Sequence, residues 1–216
     1  MARDENPPFG RGETWYGLSP APAIDSANLG GIQHEGKIWK FEDVTVSASG
    51  ATGARPARSN RDVYCMCVRN VSGIALLPKR LVTLQKTGTD GKFFLGRVDG
   101  YATVTADGPA YPVDEFLTSA GVPNNDLFWI VVRGPATVLT DIAAAAGNVI
   151  NVGDSVVALT AATSQATTAG RIAAQLLTGA TALLANQVQN RVGRALSAAT
   201  TSNTAADLLI DTITWS

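Results

Sequence analysis

The chain has 216 residues, 45% of them hydrophobic and 16% charged, with a net charge of −1. That length suits one domain with an extension, or two small domains, and the apolar content is enough for a sizeable core. The balance of 17 basic and 18 acidic residues leaves no basic stripe for phosphate neutralisation, which excludes that mode of nucleic-acid binding.

Other classes fall away on the same reading. No apolar run reaches the roughly 18–20 residues that cross a bilayer as a helix, so no membrane partner is expected. The opening MARDENPPFGRGE lacks the apolar core of a secretory signal. Both cysteines lie in one Cys65-Met66-Cys67 unit. That excludes a disulfide framework and points to synthesis in a reducing cytoplasm. The charge fraction is well below the roughly 25% usual for globular chains. Ala, Thr, Ser, Asn and Gly take the place of the missing charge. Such a surface fits a chain buried against partners, and equally a compact β domain with few lysines.

Residues 1 to about 35 carry four prolines and five glycines, and neither helical nor strand periodicity survives there. Phe9, Trp15, Tyr16 and Leu18 are nonetheless large and apolar, unlike the usual composition of a disordered tail. An extended N-terminal arm is expected, with these aromatics docking into grooves of its own domain or of a neighbour. Lys37–Val46 follows as an edge or arm strand, because neither of its faces is cleanly apolar. Ser47–Asn60 reads as a long Gly/Ser/Ala/Arg loop. Its Arg55 and Arg58, with Arg61 just beyond, are placed to reach an acidic surface of a partner, or simply to solvate the loop.

Asp62–Val68 alternates Val63, Cys65 and Cys67 against Tyr64, Met66 and Val68, so a strand buried on both faces is expected. Arg80–Leu84 is a second strand. Thr87–Gly91 reads as a hairpin turn. Phe93–Ala102 is a strand with bulges at Gly96 and Gly100. Pro112–Ala120 reads as a short helix, opened by Pro112, charged at its first turn by Asp114 and Glu115, and stopped by Gly121. Leu127–Arg133 and Ala136–Thr140 are two strand halves around a Gly134-Pro135 bend, and this is the central strand segment of the domain.

Weaker signals close the chain. Ala143–Asn148 can form a helical turn, and Val149–Val152 is a short apolar signal before the Gly153-Asp154 turn. Ser155–Leu159, Gly170–Leu177, Gln187–Leu196 and Asp207–Trp215 are strand candidates, with helix competing over Ala180–Val188. The fold class expected is mainly β: a small β barrel or jelly-roll-like sandwich with one short helix and an extended N-terminal arm. Residues 1–60 form the arm and loop, and residues 61–216 form the β domain.

No catalytic constellation emerges. His34 is the single histidine, and no serine stands in a nucleophile-elbow context. Cys65, Cys67 and His34 make at most three zinc ligands, and small buried residues in a core strand explain the cysteines better. Asp114 and Glu115 fit a helix N-terminus rather than a catalytic pair. No phosphate-cradling glycine motif is present. No enzyme activity, cofactor or metal is expected. A carbohydrate-binding β sandwich, or a hydrolase on that scaffold, would rest on Trp39 beside Glu42 and Asp43. Among the four tryptophans, Trp15 and Trp39 fall in or near the arm, where aromatic anchors favour binding by surface burial.

From about residue 70 onward, the chain runs through NVSGIALLPKRLV, YPVDEF, GVPNNDLFWIVVRGPATVLT, NVGDSVVALT, TTAGRI and NRVGRALSA. This succession resembles capsid decoration, or cement, proteins of tailed bacteriophages. The residues that carry the resemblance are Asp126, Phe128, Trp129, Gly134 and Pro135, then Gly153 and Asp154, then Gly193, Arg194 and Ala195. The resemblance implies a structural virion protein on the capsid exterior. It implies binding to the major capsid protein, assembly as a trimer or dimer, and an arm that reaches over neighbouring subunits. Phe9, Trp15, Tyr16, Trp39, Arg55 and Arg58 are then the candidate interface residues. A tail, neck or fibre component is the alternative within the same class.

Overall fold

The computed structural model describes residues 35–44, 57–86, 93–102, 109–117, 119–140, 149–158, 170–174, 191–199 and 205–210. They form ten strands: β1 (Ile38–Val44), β2 (Ala57–Asn70), β3 (Leu81–Lys86), β4 (Phe93–Tyr101), β5 (Ala110–Pro112), β6 (Leu127–Leu139), β7 (Ser155–Ala158), β8 (Ile172–Ala174), β9 (Arg191–Ala195) and β10 (Ala205–Ile210). The spatial order is β5-β3-β4-β2-β6-β10-β9-β7-β8, with β1 on β2 beside that path.

The mainly β class is as expected. The barrel is not: the strand path stays open, and only a single parallel bridge, Thr140 to Ile172, brings β8 back to the end of β6. One bridge is not a ladder, so the closure that would remove the sheet edges is missing among the described residues.

β2 organises one half of the sheet. Its residues Tyr64–Met66 pair with β1 and with β6 at once, so those strands occupy opposite edges. Arg69 pairs with Leu127 of β6 and, in parallel, with Arg97 of β4. β4 therefore continues the edge that β1 begins. Alternation sends Val63, Cys65 and Cys67 to one side and Met66 and Val68 to the other, and all five are buried. Ala57–Asn60, expected as loop, is the start of β2 instead. Register explains this: Val44 pairs with Ala57 after an irregularity, so the segment is recruited by β1 across the sheet rather than by any local pattern.

β6 is the central element. Leu127–Arg133 pairs with β2, and Gly134–Leu139 pairs with β10. The exchange of partners falls at the Gly-Pro bend. Gly134 has φ +106°, and a Cβ there would run into the carbonyl oxygen of Asp62. Only glycine satisfies both demands. Just before it, Tyr64 pairs with Arg133 while Cys65 pairs with Val131, so β6 carries one extra residue, Val132. This bulge turns Arg133 out of the core: in the run Leu127–Val138 it alone is exposed.

The expected helix over Pro112–Ala120 does not form. β5 ends at Pro112, and residues 115–117 and 119–120 form turns. The backbone amides are committed to other strands: Val113 donates to Arg80 O at 2.7 Å and Asp114 to Trp129 O at 3.1 Å. The Phe116 amide then bonds the Asp114 carboxylate at 3.2 Å. Residues 111–117 are all buried, which a two-turn surface helix cannot achieve.

Elsewhere β3, β4, β7, β8, β9 and β10 overlap the segments expected as strands, and residues 159, 175–177, 187–190 and 211–215 of those segments lie outside the described residues. Register shifts along β3 and β4 supply the expected irregularity. Val149–Val152 reduces to one bridge, Ile150 to Ala199. The Thr87–Gly91 turn, Ala143–Asn148 and Ala180–Val188 lie outside the described residues.

Candidate functional site

Three charged or aromatic groupings stand out on this framework. The first joins β1, β2, β6 and the turn after β5. Arg58 lies on β2 and Asp43 on β1; Glu115 sits in the turn and Thr137 on β6. The guanidinium of Arg58 donates to Asp43 at 2.9 Å, to Glu115 at 3.2 Å and to the Thr137 hydroxyl at 2.9 Å. The Ser59 hydroxyl donates to the second oxygen of Asp43 at 2.7 Å. Burial alone would lower the pKa of Arg58, but its hydrogen bond to Asp43 and the charges of Glu115 and Asp43 raise it overall. The charged form is thus locked in. Buried ions survive only when paired in this way. Chemically the grouping is a four-element tie.

The second grouping sits where β1 gives way to β4 along β2. Glu35 accepts from Arg69 through one oxygen and from Arg97, at 3.1 Å, through the other. Arg69 also donates to Asn125 O at 2.5 Å. Glu35 and Arg69 are nearly buried, with side chains 9% and 7% exposed. A Cβ on Gly96 would lie 2.6 Å from the Glu35 Cβ, so β4 needs a glycine to let the carboxylate in. The next residue, Gly36, donates to Cys67 O at 2.8 Å. The point at which residues 1–34 join the sheet is therefore fixed by two arginines and the backbone of β2.

The third grouping lies on the outer face of β1, β2 and β6. Lys40 is opposite Tyr64, and Tyr64 is opposite Arg133, so the three form a row across the strands. Lys40 pairs with Asp62 at 3.0 Å, both well exposed. Arg133 stands over the Tyr64 ring, 5.9 Å from its centroid. Tyr and Arg are the residues that most often carry binding energy at protein interfaces, and Arg on an aromatic face keeps its edge free for a carboxylate.

Of the residues singled out from the sequence, Phe9, Trp15, Tyr16 and Arg55 lie outside the described residues. Trp39 is half-buried on β1 and packs against the core from the Cys65 side of the sheet. Arg58 is held inside the fold by the tie just described. Trp39, Glu42 and Asp43 do not share a surface: Glu42 points to the opposite face, and Asp43 is 1% exposed and bound to Arg58. Cys65 and Cys67 are not disulfide-bonded and are fully buried. Burial pushes the Cys67 thiol up to about 12, far from a reactive thiolate. Among the described residues no group of three His, Cys, Asp or Glu side chains is arranged to hold a metal.

Sequence reasoning passed over Glu35, Arg69, Arg97 and the Tyr64–Arg133 pair. Their partners are distant in the chain, so no local spacing announces them. The bulge at Val132 also moves Arg133 off the face that simple alternation assigns to it. Several of the motif residues behind the bacteriophage resemblance have structural roles. Gly134 marks the partner exchange. Gly153, at φ +91°, donates to Ala195 O at 2.8 Å, and Ala195 donates back to Asp154 O at 2.9 Å. Gly193 sits opposite Val156 on β7 and Ile210 on β10.

The chain matches no protein-family model, and no curated protein matches it.

Proposed function

We propose that this protein is a structural virion component, a capsid decoration or cement protein. It binds the major capsid protein lattice from outside and stabilises the shell as a small homo-oligomer. The observation that carries the reading is the joint at Glu35. A segment of 34 residues bearing Phe9, Trp15 and Tyr16 begins from a carboxylate clamped by Arg69 and Arg97 at the end of a sheet. A fixed base with aromatic anchors beyond it suits a staple between subunits, because each added contact on an already bound molecule strengthens the whole. The motif order from Asp126 to Ala195 supports the same reading. So does the use of the buried charges as ties between strands.

The test is co-sedimentation of the purified protein with expanded shells that lack it. Saturable binding that raises the thermal stability of the shell is the expected outcome. Protein left in the supernatant at micromolar concentration contradicts the proposal. A Glu35→Ala variant is expected to keep its fold and bind more weakly, since the arm then starts from a loosened base.

A further inference from the structure

We propose that the corner formed by the Asn151–Asp154 turn and the end of β9 is the surface that docks on the capsid shell, seated in an aliphatic recess edged by a carboxylate. This assignment rests on the cement-protein reading and adds to it which part of the sheet makes the contact.

Large apolar side chains are exposed at few places and unevenly. Among the described residues they are Ile38, Ile74, Val149, Val152 and Leu196, and three of these five belong to this corner. Exposed apolar residues scattered singly are ordinary, whereas a group gathered at one place marks an interaction site. The backbone gathers them. Gly153 donates to Ala195 O at 2.8 Å and Ala195 to Asp154 O at 2.9 Å, so the turn lies against the end of β9. Ile150 bridges to Ala199, which brings Val149 to the same end.

Nothing in the turn itself calls for an apolar tip. The Asp154 amide donates to Asn151 O at 3.1 Å, Gly153 has φ +91°, and Val152 keeps a negative φ. That is a type II turn with Val152 in its second position and the required glycine in its third. Packing within the chain does not use the valine, which is 68% exposed. The tip is also held stiffly. The Asp154 carboxylate accepts from the Asn151 amide at 2.8 Å and from the Asn151 side chain at 3.3 Å. A surface ordered beforehand loses little freedom on binding.

Charge indicates what the corner meets. Arg194 and Leu196 are both exposed on one side of the chain, with buried Ala195 between them. No carboxylate among the described residues pairs with Arg194. Asp154 is the one acidic residue in segments 149–158 and 191–199, and Asn151 already engages it. The corner therefore presents three aliphatic groups beside an arginine that lacks a carboxylate. An aliphatic recess with an Asp or Glu at its rim complements both features.

The experiment is co-sedimentation of the full chain with expanded shells that lack it, over a series of concentrations. Wild type is compared with Val152→Asp, with Arg194→Glu and, as a matched control, with Ile74→Asp. All three positions are exposed, so each variant should melt like the wild type. Val152→Asp and Arg194→Glu are each expected to weaken shell binding about tenfold or more, and Ile74→Asp less than about twofold. If either Val152→Asp or Arg194→Glu binds as tightly as a wild type that does bind, the docking corner is overturned and the cement reading stands. An equal loss in Ile74→Asp overturns the corner as well. Wild type that stays in the supernatant overturns both. Light scattering on the free protein is the second readout. A Val152→Asp chain of lower mass than wild type means that the corner holds another copy of the chain instead of the shell, and overturns the proposal. Should Arg194→Glu fail to fold, Val152→Asp alone decides the matter.

Discussion

The two halves of β6 are built differently. Leu127–Arg133 carries Phe128, Trp129 and Ile130, all fully buried, and Trp129 meets Phe41 edge-on at 5.2 Å. Around it lie the buried charges Asp43, Arg69, Asp114, Glu115 and Asp126. Gly134–Leu139 packs smaller side chains, Ala136 and Val138, against Ala206 and Leu208 of β10. The first half combines large apolar area with charges that must stay paired. The second is a ladder of smaller residues that meets the charged network through the Thr137 hydroxyl. Stability and positional precision should therefore concentrate on the β1–β2–β6 side, where residues 1–34 join the sheet.

The sharpest way to break that contrast is one core deletion in each half. Trp129→Ala should cost about 3–5 kcal/mol, as removal of a buried tryptophan usually does. Val138→Ala should cost about 2 kcal/mol, the burial of two methylenes. Chemical denaturation measures both, and equal losses would erase the distinction.

Removing the tie comes next. Arg58→Ala leaves Asp43 and Glu115 buried without their shared cation, and about 3 kcal/mol should go, at the low end for a broken buried pair because Arg58 remains 21% exposed. Arg58→Lys should recover only part, since one ammonium cannot serve three acceptors in the geometry of a guanidinium.

Gly134→Ala tests the hinge between the halves. The positive φ and the blocked Cβ position predict a loss of about 2 kcal/mol. A thermal melt of the variant is enough to check it.

Alkaline pH probes groups buried in neutral form. Burial raises Tyr111 from 10.0 to about 12 and Cys67 from 9.0 to about 12. In both, the unfolded chain loses its proton first. Their contribution is therefore complete below pH 9 and is lost as pH rises toward 12. Tyr111→Phe should flatten the fall in melting temperature between pH 10 and 12, and Cys67→Ala should flatten it from pH 9. An unchanged slope in both variants would refute this account.

The smallest effect belongs to Arg133→Ala. The side chain is exposed, so stability should change by no more than about 0.5 kcal/mol, read from the denaturation midpoint.

How much of this was legible beforehand follows from the range of the interactions involved. Alternation over Val63–Val68 and the apolar run Leu127–Val132 identify the strands, because period-two burial is local. The Gly134-Pro135 bend is legible for the same reason. Pro112–Ala120 misled because Pro112, Asp114 and Glu115 match a helix start, yet the amides of Val113 and Asp114 and the carboxylate of Glu115 answer to Arg80, Trp129 and Arg58 far along the chain. Glu35 and Arg97 are 62 positions apart, and no sequence pattern joins them before the strands pair. Arg133 was visible as a residue but not as an exposed one, since its exposure depends on a single extra residue in β6.

The most direct measurement is the position of the protein in an intact particle by cryo-microscopy. The account predicts density for the ten-stranded domain on the outer surface of the capsid shell, with residues 1–34 extending from Glu35 onto a neighbouring subunit. Density confined to the tail or neck, or particles that contain none of the protein, would contradict it.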